Sequence, residues 1–311
     1  MNNYKKHILQ LKGNEIANGK ISFSFLQEII GQLTRLAESA LLSYIEGNSR
    51  IKRKKGKTPN WLLKSIDFHL TDIKEGPTIL DIEAPLLSEN IDSVQISGFQ
   101  EFKLEEISAL DLSFFAYMQA FENQKESNLL DKNLLKEIIN LNKILDSEDA
   151  KIIFISNGKK IEVTKNTLAE IKILEEKTPP SSKAKITGKL DTLQHSKSQL
   201  EIKTAGKKIR AKLSEKIQFN DITKLLGADV SLSGIANFNP AGEIASFEIS
   251  AIRKADVGDD YFRTIPPAVF KDFDLKRIIK KNKYKGSNLD NLLGKWPSDE
   301  TIDELLEMTK K

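Results

Sequence analysis

The 311-residue sequence predicts an α+β N-terminal domain of antiparallel hairpins with helices, then a five-stranded small β-barrel, then a helical or extended C-terminal tail. Three observations carry this. An apolar stripe of 3.6-residue period runs from Leu26 to Tyr44. Strand-like runs come in pairs across tight turns rather than alternating with helices. Residues 184–255 read strand, strand, strand, helix, strand, strand. The predicted divisions are a domain over 1–177, a linker over 178–183, the barrel over 184–255 and a partner-binding tail over 256–311.

In chain order, Tyr4 to Lys12 reads as a strand. Ser24 and Gln27 form an S-x-x-Q capping box, in which hydroxyl and amide satisfy two orphan backbone donors. The helix that follows carries Leu26, Ile29, Ile30, Leu33, Ala37, Ala40, Leu41 and Tyr44 and ends at Gly47. Trp61 is expected in the core at the start of a strand. Ser65 to Thr71 alternates Ile66, Phe68 and Leu70, and pairs as a hairpin with Thr78 to Ala84 across Lys74-Glu75-Gly76-Pro77. His69 is expected to face solvent, with no nucleophile or second ligand at a useful spacing. Leu104 to Leu145 is helical, broken over Asn123 to Asn128, and its Leu110, Phe114, Phe115, Tyr117, Met118 and Phe121 form a core face. Asn157-Gly158 is a hairpin turn between Ile152 to Ile155 and Lys160 to Val163, and Thr164 to Lys177 is a further helix.

Thr178-Pro179-Pro180-Ser181-Ser182 has linker composition. Beyond it, Ala184 to Leu193, Ser198 to Lys203 and Lys207 to Leu213 read as strands, Phe219 to Leu226 as a helix, and Asp229 to Phe238 and Glu243 to Ile252 as strands. Gly188, Gly206, Gly227 and Gly234 supply the bends a small barrel needs. The order resembles an OB-type barrel, whose helix lies between the third and fourth strands. An SH3-like barrel is the alternative allowed by the same strand count. The resemblance to OB barrels implies oligonucleotide binding through aromatics and cations on one sheet face. The cations are Lys183, Lys185, Lys189, Lys197, Lys203, Lys207, Lys208, Arg210 and Lys212; the aromatics, Phe219, Phe238 and Phe247, suit the core equally well.

Composition narrows the functional classes. With no Cys and three His, disulfide frameworks, thiolate metal sites and thiol nucleophiles are excluded, and no cofactor or metal is expected. No apolar stretch approaches the ~20 residues that span a bilayer, and the start of the chain lacks a signal-peptide core, so a cytoplasmic protein without a membrane partner is expected. Nucleotide-loop, nucleophile-elbow and metalloprotease motifs are absent from the first domain. Asp259-Asp260 is the most conspicuous carboxylate pair, but neighbours on an extended chain point apart. The reading is therefore non-enzymatic.

Charge is uneven although 48 Lys+Arg nearly balance 44 Asp+Glu. In Ile51 to Lys57 five of seven residues are basic: Lys52, Arg53, Lys54, Lys55 and Lys57. In Lys276 to Lys285 six of ten are basic, among them Lys276, Arg277, Lys280 and Lys281. Both runs are candidate phosphate contacts. Ser287 to Lys311 then turns acidic and contains Leu292-Leu293-Gly294-Lys295-Trp296-Pro297-Ser298-Asp299-Glu300-Thr301-Ile302-Asp303-Glu304-Leu305-Leu306.

That stretch resembles the L-x-G-x-W-x-x-D-E-x-x-E-E-L tails of antitoxins that neutralise PIN-domain ribonucleases in VapBC-type toxin–antitoxin modules. The resemblance covers about 20 of the 311 residues. It implies an extended segment wrapping a PIN-domain toxin, with Trp296 as a buried anchor and a nearby cation such as Lys295 reaching the toxin's acidic centre. Leu293, Pro297, Asp299, Glu300, Leu305 and Leu306 complete the expected contact set, the last two on a helix in a groove. The chain departs from the family in carrying a large α+β domain and a barrel instead of a short DNA-binding module, so operator binding is not carried over. An antitoxin-like inhibitor is thus the first expectation. A nucleic-acid-binding protein using the barrel and basic runs is the alternative.

Overall fold

In the computed structural model the described residues are 3–13, 21–49, 58–74, 78–91, 103–156, 158–194, 198–204, 207–214, 217 and 219–263. The chain divides into two units, Met1–Lys271 and Asp272–Lys311. The first holds both an α+β layer and a closed barrel; the second lies outside the described residues.

The α+β layer is a five-stranded antiparallel sheet in the order β2-β3-β1-β4-β5. Its central strand β1 (Tyr4–Lys12) pairs with β3 (Thr78–Pro85) on one side and β4 (Lys151–Ser156) on the other. Strand β2 (His69–Lys74) extends β3, and β5 (Lys159–Val163) extends β4. Period-two alternation sends His7, Leu9 and Leu11 to one face, where Leu9 sits between Leu80 and Phe154 in register.

Against that core lie α1 (Phe23–Glu46), α3 (Ala109–Phe121), α4 (Lys132–Ile139) and α5 (Lys165–Lys177). The α1 stripe is buried at Ile29, Leu33, Ala37, Ala40, Leu41 and Tyr44, while Leu26 is half-buried and Ile30, expected in the stripe, is exposed; Gly47 ends the helix at φ 70°, a left-handed conformation that disfavours side chains. Its start differs from expectation. The cap is Ser22, whose Oγ accepts from the Phe25 N–H at 3.2 Å; Ser24 lies inside the first turn, its hydroxyl bonded to that of Ser22.

A second difference is α2 (Asn60–Ser65), which carries Trp61 in place of the expected strand start. Pro59 fixes an extended entry, its carbonyl accepts from Leu62 and Leu63, and Leu62 turns into the core, while Trp61 is half-buried against it. The strand begins only at His69, which is exposed, as expected, and stacks on Tyr4.

Asp131 ties two helices together. Its carboxylate caps α4 by accepting from the Asn133 and Leu134 N–H groups, and it also accepts from the backbone N–H and hydroxyl of Ser49 beyond α1. Lys132 donates to the Glu175 and Thr178 carbonyls at 2.9 Å, closing the C-terminus of α5.

The barrel has its own core, separate from that of the sheet. Its strands are β6 (Ser182–Gln194), β7 (Gln199–Thr204), β8 (Lys207–Leu213), β9 (Asp229–Phe238) and β10 (Ile244–Lys254), closed in the order β10-β8-β7-β6-β9. The β8/β10 pair is parallel and the others antiparallel, and α6 (Phe219–Thr223) lies between β8 and β9. This arrangement is compatible with an OB-like small barrel. Long β6 coils, pairing with β9 through its first half and β7 through its second.

Closure depends on two glycines. A Cβ on Gly188 would stand 2.5 Å from the Lys203 carbonyl oxygen, and one on Gly234 would stand 2.0 Å from that of Glu248 and 2.7 Å from the Phe247 ring. Real carbons cannot come that close, so the strands must part to admit a side chain. Gly234→Ala is therefore expected to destabilise the barrel by about 3 kcal/mol, measured by urea denaturation; a midpoint unchanged from wild type would contradict the close approach.

Candidate functional site

The sequence-predicted partner residues Leu293, Lys295, Trp296, Pro297, Asp299, Glu300, Leu305 and Leu306 lie outside the described residues, as do Lys52, Arg53, Lys54, Lys55, Lys57, Lys276, Arg277, Lys280 and Lys281. What is described is the barrel surface on which the nucleic-acid alternative rests, together with two polar clusters.

The outer row of β7 and β8 carries Glu201 and Lys203 beside Lys208, Arg210 and Lys212. Lys203 and Lys208 face each other across the strand pair, which by itself is repulsive. Asp191 of β6 relieves this, with its carboxylate 2.8 Å from Lys203 and 3.4 Å from Lys208. The hydrogen bond from Lys203, aided by Lys208, holds the Asp191 carboxyl below its usual range. Glu201 pairs with Arg210 at 3.5 Å and Lys208 at 3.8 Å, Lys207 pairs with Glu243, and Lys212 reaches Glu46 at the end of α1.

The cations of this face thus meet carboxylates of the same chain, which a phosphate backbone would have to displace. Of the three aromatics, Phe247 fills the barrel interior and Phe219 and Phe238 pack, partly buried, against the same core.

One end of the barrel is bonded to the α+β layer. In the β9–β10 turn, the Ala241 N–H donates to the Lys125 carbonyl at 2.8 Å, and the Asn239 side-chain amide donates to Asn128 at 3.2 Å and to the Glu126 carbonyl at 3.4 Å. A relay continues from exposed Ser181 through buried Asn237 and Ser246 to the Gly47 carbonyl, with spacings of 2.7, 3.0 and 2.5 Å. Asn239-Pro240-Ala241-Gly242 has the composition of a hairpin turn and joins β9 to β10. Asn239 serves the turn as well, its Oδ1 accepting from the Glu243 N–H at 2.9 Å, so the docking role left no separate local signal.

The first polar cluster lies where β1 meets the start of α3. His7, 2% exposed, places Nε2 2.9 Å from Ser108 Oγ, and Ser108 donates to Asp111 Oδ2 at 3.0 Å. Lys5 Nζ is 3.0 Å from the same oxygen, and Ser156 donates to Asp111 Oδ1 at 2.9 Å. The residue types are those of a nucleophile and base, but the connections differ. The carboxylate bonds the serine rather than orienting the imidazole through Nδ1, and Ser108 is fully buried as the cap of α3. The cluster is a helix cap.

The second cluster parts the adjacent carboxylates of the sequence reading. Asp259 turns inward to Lys185 at 2.7 Å and Arg253 at 2.8 Å, while Asp260 stays exposed beside Arg263 at 2.7 Å. The hydrogen bond from Lys185, then the Asp256 N–H, lowers the Asp259 carboxyl to about 2. Among the described residues no three His, Asp or Glu side chains are grouped to hold a metal ion, and no helix is long and apolar enough to cross a membrane.

No family model, curated protein or solved structure matches this chain.

Burial lowers His7 from 6.5 to about 4, opposed by Asp111 and reinforced by Lys5. The folded imidazole is therefore neutral where the unfolded one gains a proton, so stability falls as pH drops from about 6.5 to about 4 and is independent of this group below that. The loss is about 3 kcal/mol. Urea denaturation across this window should show a steeper decline for wild type than for His7→Gln; parallel declines would contradict the burial of a neutral imidazole.

Proposed function

We propose that the chain is a non-enzymatic partner-binding protein, an antitoxin-like inhibitor of a PIN-domain ribonuclease acting through its C-terminal segment. The observation that carries this reading is the Leu293 to Leu306 pattern, in which Trp296-Pro297 precedes Asp299-Glu300 and the apolar pair Leu305-Leu306. A Trp next to a Pro gives a large anchor on a stiff backbone, which loses little conformational entropy on docking. A short amphipathic helix of the kind predicted after it cannot bury its apolar face alone and needs a groove.

The barrel face supports the reading from the other side. Asp191, Glu201 and Glu46 pair with Lys203, Lys208, Arg210 and Lys212, cations that an oligonucleotide bound on this face would contact. The α+β layer and barrel then serve as a scaffold from which the segment leaves. Lys295 and the Lys276 to Lys285 run supply the cation for the ribonuclease's carboxylates.

The test is co-purification of full-length wild type and Trp296→Ala from the native cells, at roughly 0.15 M salt after nuclease treatment, with proteins identified by mass and assayed for ribonuclease activity. Wild type should retain a PIN-domain ribonuclease and inhibit it. Trp296→Ala should bind it ~2–4 kcal/mol more weakly with an unchanged melting temperature. Equal binding by the variant, or recovery only of nucleic acid in untreated samples, would overturn the reading and favour phosphate contact through the basic runs.

A further inference from the structure

Three strands of the barrel bring a row of polar side chains to its outer surface. Thr187 of β6 lies opposite Ser231 of β9, and Ser231 lies opposite Arg253 of β10. Their chain neighbours Ile186, Val230, Leu232 and Ile252 pack in the barrel core, so strand alternation sends the row outward, with Lys185 one row away on β6. An outward hydroxyl ordinarily meets water. Thr187 and Ser231 are instead 0% and 2% exposed, and neither hydroxyl has a hydrogen-bond partner among the described residues.

The 3-10 turn Val257–Arg263 packs on β6 and is anchored around this row. Asp259 Oδ1 accepts from Lys185 at 2.7 Å and from Arg253 Nη2 at 2.8 Å, while its Oδ2 accepts from the Asp256 N–H at 3.0 Å. The Asp256 carboxylate takes Nη1 of the same arginine at 2.9 Å, which leaves Nη2 aimed at Asp259. Further along, Arg263 pairs with Asp229 at 2.8 Å, and its carbonyl accepts from the Thr204 hydroxyl at 2.6 Å. Charge and hydrogen bonds hold the turn, since among the described residues neither apolar core contains any part of it. It can lift without unpacking the barrel.

Asp259 is thus an anion seated between two cations, with two donors unused beside it. A carboxylate has two oxygens, and both are taken. A phosphate group offers a further oxygen and a tetrahedral spread, which suits hydroxyls and cations converging from three adjacent strands. The closed turn costs Thr187 and Ser231 their hydration and returns no hydrogen bond. We propose that Lys185, Arg253, Thr187 and Ser231 form a binding site for a phosphate group on the outer face of the barrel, held closed by Asp259 as an internal stand-in for the ligand. The site uses β6, β9 and β10, not the paired cations of β7 and β8, and does not depend on the partner-binding reading. Because Asp259 is tethered beside its cations, it competes at an effective concentration on the order of millimolar, and wild type binds phosphate weakly.

The test is equilibrium dialysis of inorganic phosphate against the full-length chain at constant ionic strength. Asp259→Asn removes the competing charge, and Arg263→Gln loosens the turn from Asp229 without touching the site. Each should bind phosphate about tenfold more tightly than wild type. Adding Thr187→Val/Ser231→Ala to Asp259→Asn should cancel the gain. The same pair in wild type should leave the melting temperature unchanged or raised, because sealed hydroxyls without partners are removed. A gain shared by a short single-stranded oligonucleotide supports the site and names a phosphodiester as the source; a gain confined to inorganic phosphate supports it and names a small ligand. Equal phosphate binding by wild type and both single variants overturns the proposal, as does a gain that survives loss of the two hydroxyls. If Asp259→Asn does not fold, Arg263→Gln decides between these outcomes.

Discussion

The hydrogen-bonded seam between the β9–β10 turn and the loop joining α3 to α4 decides what the barrel has left to offer. Two apolar cores that share no residues meet here through polar groups: Asn239 with Asn128 and Glu126, Ala241 with Lys125, Ser246 with Gly47. Seams of this kind are easily hydrated and gain little from area alone. This one is held by geometry, because Asn237 and Ser246 at the middle of the relay are buried and would lose partners if the barrel tilted. Gly47 contributes twice. Its positive φ ends α1, and its missing side chain leaves room for Ser246, whose Cβ would stand 3.0 Å from an added carbon.

Electrostatics follow from that docking. Because the barrel is fixed against the end of α1, Lys212 is within reach of Glu46, and the row of cations on β8 is paired along its length. A basic composition became a mixed-charge surface once topology brought Asp191 from β6 and Glu201 from β7 beside it. Surface pairs of this kind add little stability. Their effect is on the local field, which the carboxylates of the same chain partly offset.

Elements with a strong period were legible in the sequence. The bounds of β8 and β9 agree with the residue pattern, since barrel strands alternate inside and outside without interruption. The α1 stripe and its stop at Gly47 were equally readable. Helix α2 was not, because six residues make fewer than two turns and the strand-like alternation of Ile66, Phe68 and Leu70 follows directly after them. The start of α1 was missed by one capping candidate, Ser22 and Ser24 being chemically equal and distinguished only by backbone path. The seam was invisible for a different reason. Its partners are more than a hundred residues apart along the chain, as with Asn239 and Asn128, and no local pattern encodes such a pair. The inward turn of Asp259 was hidden in the same way, since Lys185 approaches it from another strand.

Native-state hydrogen exchange at the Ala241 amide tests this account most directly. In a free hairpin tip that N–H would face water and exchange at nearly the rate of an unstructured chain. Docked, it donates to the Lys125 carbonyl and is predicted to exchange as slowly as barrel strand amides such as that of Ile202. Slow exchange at Ala241, lost in Gly47→Ala, is the result the docked barrel requires. Fast exchange at Ala241 with slow exchange at Ile202 would show a folded barrel moving free of the sheet, and would contradict it.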